Sequence, residues 1–294
     1  MDNMKLSIIT INYNNAAGLK KTLDSVAMQI GTDFEHIIVD GASTDGSVEI
    51  IREYEQTLAS DHLSLASNLT WISEPDKGIY NAMNKGIRMA SGEYTLMLNS
   101  GDYFIINNVA EEVLPLLTGE DIIQGNVVVQ RKDKFYVHRG YAHSDLSFLE
   151  IQYGDFPHQA TFIRKDLLTK FGYYDESYRF ISDTLFFLKT LGLNNASFKY
   201  IDKTFVFFAP GGASDQNVSE RELERKRMYN ENIPIRLHKF CIENEKKIIL
   251  YDTLHANKLI WYVTLILSKI GARLSNNVQK FRADKCTEYK GYIR

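Results

Sequence analysis

The sequence predicts an α/β fold, with a mostly parallel central sheet, helices on both of its faces and a C-terminal helical extension. Three observations carry this. β-branched runs of strand length alternate with segments of helical apolar spacing through the first hundred residues. Alternation of that kind builds parallel strands joined by crossover helices. Each of the first four strand segments also ends in a short polar cluster, and ligands of such sheets bind outside the carboxyl ends of the strands.

Taken in order, KLSIITINY is the first strand. NNAAGLKKTLDSVAMQ follows as a helix, with Leu19, Leu23 and Val26 on one face. FEHIIVDGAS is the second strand, and TDGSVEIIREYEQTL the second helix, with Ser43 or Thr44 available as its cap. LTWISEP is a third strand stopped by Pro75. GIYNAMNKGIRMA is the third helix and EYTLMLNS the fourth strand. Beyond residue 103 the pattern is mixed. VAEEVLPLL reads as a short helix, DIIQGNVVVQ and KFYVHRG as a hairpin, HQATFIRKDLLTKFG as a strand running into a helix, and DTLFFLKTLG as another helix. FKYIDKTFVFFAPGGAS ends in a Gly-Gly turn, and from about 216 the pattern is helical.

The 294 residues suit one large or two modest domains, and 44% hydrophobic content is enough for a sizeable core. Cys241 and Cys286 show neither metal-ligand spacing nor a disulfide framework, which fits a reducing compartment. LSIITI is too short and too β-branched for a signal peptide, and no run reaches the ~18–20 apolar residues of a membrane span. A cytoplasmic protein is expected. The net charge of −3 hides an asymmetry: residues 1–220 carry 18 Lys+Arg against 29 Asp+Glu, and residues 221–294 carry 16 against 8. A basic tail on an acidic body calls for a partner: anionic lipid, nucleic acid or the body itself.

The polar clusters are Thr10-Ile11-Asn12-Tyr13-Asn14, Asp40-Gly41-Ala42-Ser43-Thr44-Asp45-Gly46, Glu74-Pro75-Asp76-Lys77-Gly78 and Asn99-Ser100-Gly101-Asp102. Neither G-x-G-x-x-G nor G-x-x-x-x-G-K-[ST] occurs, which disfavours a dehydrogenase or a P-loop enzyme. The motifs SIITINYN, IIVDGASTDGS, SEPDKGIYNAMNKGIRMASGEYTLMLNSGD, HQATFIRKD and SDTLFFLKTL, in that order, resemble the inverting family 2 glycosyltransferases with the GT-A fold. The resemblance covers about residues 4–215. It implies a nucleotide-binding half over 1–102 and an acceptor half over 103–215; the helical extension over 216–294 lies outside it. It further implies a nucleotide-diphosphate sugar donor, UDP-linked by preference, Mn²⁺ or Mg²⁺ as cofactor, and a glycan or lipid-linked acceptor in bacterial surface polysaccharide synthesis.

For the individual residues two readings stand side by side. The resemblance implies that Asp40 accepts a hydrogen bond from a uracil N–H; it is otherwise a turn aspartate. Asp45 contacts the nucleotide or caps the next helix. Thr10, Asn12 and Tyr13 line the base and ribose pocket or satisfy backbone groups at a strand end. Asp76, Lys77 and Asn81 open the third helix, whose free N–H groups suit an anion beside the donor; Asp76 also suits an N-cap. Gly86 suits close packing. At the fourth strand end the family commonly has D-x-D-D, and here Asn99-Ser100-Gly101-Asp102 stands in its place. Asn99 can still meet a ribose, and Asp102 is the one carboxylate left for the metal; alternatively Gly-Asp is a turn and Lys77 helps neutralise the phosphates.

Inverting transfer needs a base for the acceptor hydroxyl. Asp183 sits where the family places it, although a helix N-terminus also favours an aspartate. His158 and Gln159 resemble a pair that meets the diphosphate or the acceptor, and a histidine there is alternatively a buried hydrogen-bonder. Gly211 and Gly212 resemble a late loop over the site, or form a turn. In the tail, Leu259–Leu267 is about nine residues long, too short to span a bilayer. With Lys258, Lys269 and Arg273 it suits the inner face of the plasma membrane as a peripheral contact, or packing on the body or a second subunit. Nucleic acid is disfavoured because no recognition motif appears. A nucleotidyltransferase would want a Gly- and Arg/Lys-rich first loop. The competing class is a non-catalytic glycosyltransferase-like binding module, which the thinned D-x-D keeps open and the pairing of Asp102 with Asp183 argues against.

Overall fold

The computed structural model describes residues 4–29, 34–60, 68–131, 134–154, 156–212 and 217–243. The chain divides into two compact units, Met1–Asn232 and Ile233–Arg294. The segment expected to open an extension at 216 therefore belongs to the first unit, and the boundary falls after it. In the second unit residues 235–243 are helical. The tail stretch 258–273 and Cys286 lie outside the described residues, and among those described no helix is long and apolar enough to cross a membrane.

The first unit begins with β1 (Leu6–Asn12), α1 (Ala16–Ala27), β2 (Phe34–Asp40), α2 (Ser47–Ser60), β3 (Leu69–Ser73), α3 (Ile79–Met89) and β4 (Tyr94–Met97). These four strands pair in parallel in the order β3-β2-β1-β4. The period of two along a strand sorts the core into two layers. Leu6 and Ile8 of β1 join one layer with Leu19, Leu23 and Val26 of α1 and Ile51 of α2. Ile9 and Ile11 join the other, with Met83 and Ile87 of α3. Gly86 lets α3 lie directly on the sheet: a Cβ there would stand 2.4 Å from Ile9 Cγ2. The close-packing role expected of this glycine is thereby accounted for.

The second half of the sheet is mixed. It comprises β5 (Tyr103–Phe104), β6 (Ile122–Arg131), β7 (Lys134–His138), β8 (Thr161–Arg164) and β9 (Phe198–Phe208). β8 runs antiparallel to both β4 and β6, β9 parallel to β6, and β5 antiparallel to β9; β6 and β7 form the expected hairpin. Five helices accompany these strands: α4 (Val109–Val113), α5 (Phe148–Tyr153), α6 (Lys165–Phe171), α7 (Ser182–Phe187) and α8 (Val218–Asn232). A π-helical turn, Leu188–Gly192, continues α7. The sequence pattern did not suggest α5. Its start is fixed by a capping box in which Ser147 and Glu150 satisfy each other's backbone N–H.

Candidate active site

The carboxyl ends of β1, β2 and β3 are tied together by Asp40. This side chain is fully buried. Its Oδ1 accepts from Asn12 Nδ2 (2.8 Å) and Ser43 Oγ (2.6 Å), and its Oδ2 from Ser43 N (2.9 Å) and Ser73 Oγ (2.7 Å). Burial opposes the charge, but these hydrogen bonds outweigh it and hold the carboxyl below its ordinary pKa. All four lone-pair positions are taken, so Asp40 organises the rim, and meeting a base would require exchange of one of these bonds. The acceptor left over is Asn12 Oδ1, buried and without a partner. Tyr13 stands out from the same rim, 67% exposed. Gly41 lies between Tyr13 and Asp76, and a Cβ there would fall 3.0 Å from the Tyr13 ring and 2.5 Å from Asp76 Oδ2.

Two further sequence-predicted residues have hydrogen-bond partners of their own beside this rim. Thr10 is fully buried, with Oγ1 3.0 Å from His36 Nε2; His36 Nδ1 in turn lies 3.1 Å from the Tyr54 hydroxyl. It packs with His36 inside the sheet layer under α2. Asp45 acts as a cap: its Oδ1 accepts from Ser47 N and Oγ, and its Oδ2 from Ala16 N. This is the capping duty expected of Ser43 or Thr44. Ser43 is engaged with Asp40 instead.

At the start of α3, Asp76 Oδ1 accepts from Gly78 N (2.9 Å) and Asn81 Oδ1 from Lys77 N (3.1 Å). Asn81 Nδ2 reaches Glu176 Oε2 (2.8 Å), and Asn84 donates to Glu176 Oε1 and to Tyr174 O. Asn81 thus locks the helix to the segment preceding α7. Lys77 is exposed beside it.

Beyond β4, Gly101 takes a φ of 107° that side chains rarely adopt, turning the chain so that Asp102 points inward. Asp102 is 5% exposed, and its Oδ1 accepts from Ala209 N (2.9 Å). Burial pushes its carboxyl up to about 6, against the Ala209 N–H, the His158 charge and a hydrogen bond from Gln159. Asn99 Oδ1 is buried with no partner, an arrangement that costs ~1–3 kcal/mol until something donates to it. Among the described residues no three His, Cys, Asp or Glu side chains cluster as a metal cage. An orphaned amide oxygen and one buried carboxylate at the same strand end nevertheless fit a hard divalent cation whose remaining ligands are phosphate oxygens and water.

His158 links this strand end to Asp183. Its Nε2 is 3.0 Å from Asn99 Nδ2, and its Nδ1 is 3.3 Å from Asp183 Oδ2. Asp183, in the first turn of α7, also accepts from the Tyr80 hydroxyl (2.9 Å) and from Thr184 N (2.8 Å), both on Oδ1. Burial works against the charge, yet His158, Thr184 N–H and Tyr80 together hold the carboxyl below its ordinary pKa. Asp183 is therefore ionised at neutral pH, with Oδ2 its less engaged oxygen. Tyr80, whose hydroxyl burial raises well above its usual pKa, remains a proton donor. Asp183 lines a cavity of about 450 Å³ together with Gly154, Phe156, Thr184, Phe187, Arg221 and Arg225.

Asn99, Asp102, His158, Gln159 and Asp183 thus form one constellation, and Asn12, Tyr13, Asp40 and Asp76 form the neighbouring rim. Sequence reasoning missed Tyr80, although the GIYNAMNKG motif contains it, because nothing in that motif tells which way the ring points. It also missed Arg221 and Arg225, which lie in a stretch read only as helical.

The description Glycosyl transferase family 2 matches residues 7–179, more than half of the chain. An uncharacterized glycosyltransferase of Mycobacterium tuberculosis is 31% identical over 196 residues, which is 63% of this chain and 68% of that protein. The PGL/p-HBAD biosynthesis glycosyltransferase of Mycobacterium bovis is 27% identical over 247 residues, 83% of this chain and 91% of its own length. S. aureus TarS 1-349 in complex with UDP superposes with a TM-score of 0.58 at 22% identity, over 76% of this chain and 64% of that one. The mannosyltransferase PcManGT from Pyrobaculum calidifontis, in complex with GDP-Man and Mn²⁺, gives 0.58 at 18% identity, over 78% and 64%. This chain spans under two thirds of either solved chain, and at such identities those two likenesses speak for the fold alone. The match over residues 7–179, on a sheet whose first four strands are parallel and whose β4 end reaches Asp183 through His158, means that this chain belongs to glycosyl transferase family 2, a glycosyltransferase with the GT-A fold.

Proposed function

We propose that the protein is an inverting glycosyltransferase that moves a sugar from a nucleotide-diphosphate sugar, UDP-linked by preference, to a hydroxyl of a glycan or lipid-linked acceptor in surface polysaccharide synthesis. One observation carries the reading: Asp183 is held ionised by Tyr80, Thr184 and His158, faces a cavity, and is joined through His158 to Asn99 at the end of β4. A carboxylate so placed suits a general base. The acceptor oxygen attacks the anomeric carbon, Asp183 Oδ2 takes the hydroxyl proton, and the bond from that carbon to the phosphate oxygen breaks with release of the nucleoside diphosphate.

On this reading Tyr13 stacks on the base, and the orphaned Asn12 Oδ1 accepts one of its N–H groups. Asn99 meets the ribose, and Asp76, Lys77 and the start of α3 stand beside the phosphates. Mn²⁺ or Mg²⁺ would be held by Asp102, with Asn99 Oδ1 in reach of the same strand end, and would supply neutralisation of the leaving diphosphate. Gln159 and the Ala209 N–H keep Asp102 oriented.

The test is calorimetric titration with UDP and with GDP, each with Mn²⁺ and with EDTA, on the wild type and on Asp183→Asn. Metal-dependent binding of one nucleotide by both proteins is expected, with transfer lost by at least about a hundredfold in the variant. Binding of neither nucleotide would favour the non-catalytic module, and an unchanged rate in Asp183→Asn would remove it as the base.

A further inference from the structure

We infer that Arg221 and Arg225 form a phosphate subsite on the acceptor side of the cavity, so that the acceptor carries a phosphate ester near the hydroxyl that is glycosylated. This rests on the transferase reading above. The two arginines lie outside the stretch that matches the family, one helical turn apart on α8. Met228 and Tyr229 continue the same face into the interior.

The helix that aims them is firmly held. Glu224 accepts the backbone N–H groups of Arg179 (2.6 Å) and Phe180 (2.9 Å), just ahead of α7. Tyr178 donates to Glu231 (2.9 Å), Arg227 donates to Ser177, and the Tyr229 hydroxyl donates to Gln152 O (2.7 Å). α8 is thereby fixed to the segment that positions Asp183.

The charge in the cavity is unbalanced. Two guanidinium groups face one carboxylate, Asp183, which is already engaged with Tyr80, Thr184 and His158. Arg221 Nε is buried and has no hydrogen-bond partner. Among the described residues no carboxylate lies within ion-pair distance of Arg221, and the one that approaches Arg225 is Glu222, at 3.6 Å. A desolvated guanidinium without an acceptor is costly, and its planar donor fork matches phosphate oxygens. None of Asn12, Tyr13, Asp40, Asp76, Asn99 or Asp102 lines this cavity. The donor's diphosphate belongs with those residues, beyond His158, so the anion served by the arginines is a second one. It enters with the molecule whose hydroxyl meets Asp183.

The test uses the full chain saturated with Mn²⁺ and UDP (or GDP, if that is the nucleotide it binds). Glycerol 3-phosphate, glycerol and dihexanoyl phosphatidic acid are titrated into it by calorimetry. Glycerol 3-phosphate is expected to bind at least tenfold more tightly than glycerol. Arg221→Met/Arg225→Met is expected to remove that preference while changing nucleotide affinity by less than twofold. Tighter binding of dihexanoyl phosphatidic acid, lost in the same variant, would assign the phosphate to a lipid; tighter binding of glycerol 3-phosphate would assign it to a polyol. Equal binding of glycerol and glycerol 3-phosphate by the wild type overturns the inference without reference to any variant. So does a variant that loses nucleotide and phosphate ester by the same factor, since the arginines would then serve the donor. If no nucleotide binds at all, it is the transferase reading that fails. Arg225→Lys, which keeps charge without the fork, serves as the folded control and is expected to lose part of the preference.

Discussion

His36 gives the pH dependence of stability a definite sign and size. It is fully buried between Thr10 Oγ1 and the Tyr54 hydroxyl, joining β1 and β2 to α2. Burial drops its pKa from 6.5 to about 3. Because the folded pKa lies below the unfolded one, the neutral ring is the form that folding favours. Its contribution is fully present above pH 6.5 and is lost as pH falls towards 3. Each pH unit in that window is worth ~1.4 kcal/mol, so the fall from pH 7.5 to 4.5 should remove about 3 kcal/mol through this one residue. The perturbation is His36→Gln, which keeps polar atoms near Thr10 and Tyr54 but cannot titrate. Urea unfolding followed by circular dichroism at pH 7.5 and 4.5 measures both proteins. The variant starts less stable at pH 7.5, having lost ring packing, and should show about 3 kcal/mol less acid destabilisation than the wild type. Equal pH dependence in the two proteins would refute the reasoning, because a buried neutral imidazole must charge on unfolding in acid. The same two strands carry Asn12 and Asp40, so nucleotide affinity is expected to decline in this acid window in the wild type.

Three further outcomes are expected. Tyr80→Phe removes a hydrogen bond to an ionised carboxylate, typically ~1.5–3 kcal/mol, so the Asp183 pKa should rise and the acid limb of the pH–rate profile should move up by about one to two units; an unmoved limb would detach Tyr80 from the base. Gly86→Ala forces a Cβ against Ile9 and should cost about 1–3 kcal/mol, read as a lower melting temperature with unchanged oligomeric state. Asp102→Asn keeps an oxygen for the Ala209 N–H but removes the charge. It should abolish the difference between nucleotide affinity in Mn²⁺ and in EDTA, and a difference as large as in the wild type would place the cation elsewhere.

The order of strands and helices over residues 4–104 follows from the sequence, because period two and period 3.6 are local properties of the chain. The same locality makes the strand-end positions of Asn12, Asp40, Asp76, Asn99 and Asp102 legible: a polar cluster after an apolar run is visible in a string. Asp183 and His158 were legible through motif resemblance, although their contact was not. What the string could not fix is which way each side chain faces and what meets it there. Thr10 and Asn12 lie two apart on β1, and both are buried, yet one meets His36 beneath α2 and the other meets Asp40 at the strand end, because β2 brings a different partner to each. Asp40 had the residue type of a base reader and became the tie among three strands once Asn12, Ser43 and Ser73 closed on it. His158 joins Asn99 to Asp183 only because β8 runs antiparallel to β4 and brings the turn before it to the β4 end. The direction of Arg221 and Arg225 into the cavity depends on α8 being pinned to residues 177–180, contacts far apart in sequence. Local chemistry determined the elements and their polar ends; the charge state of Asp183 and the shape around it arose only where elements distant in sequence packed together and excluded water.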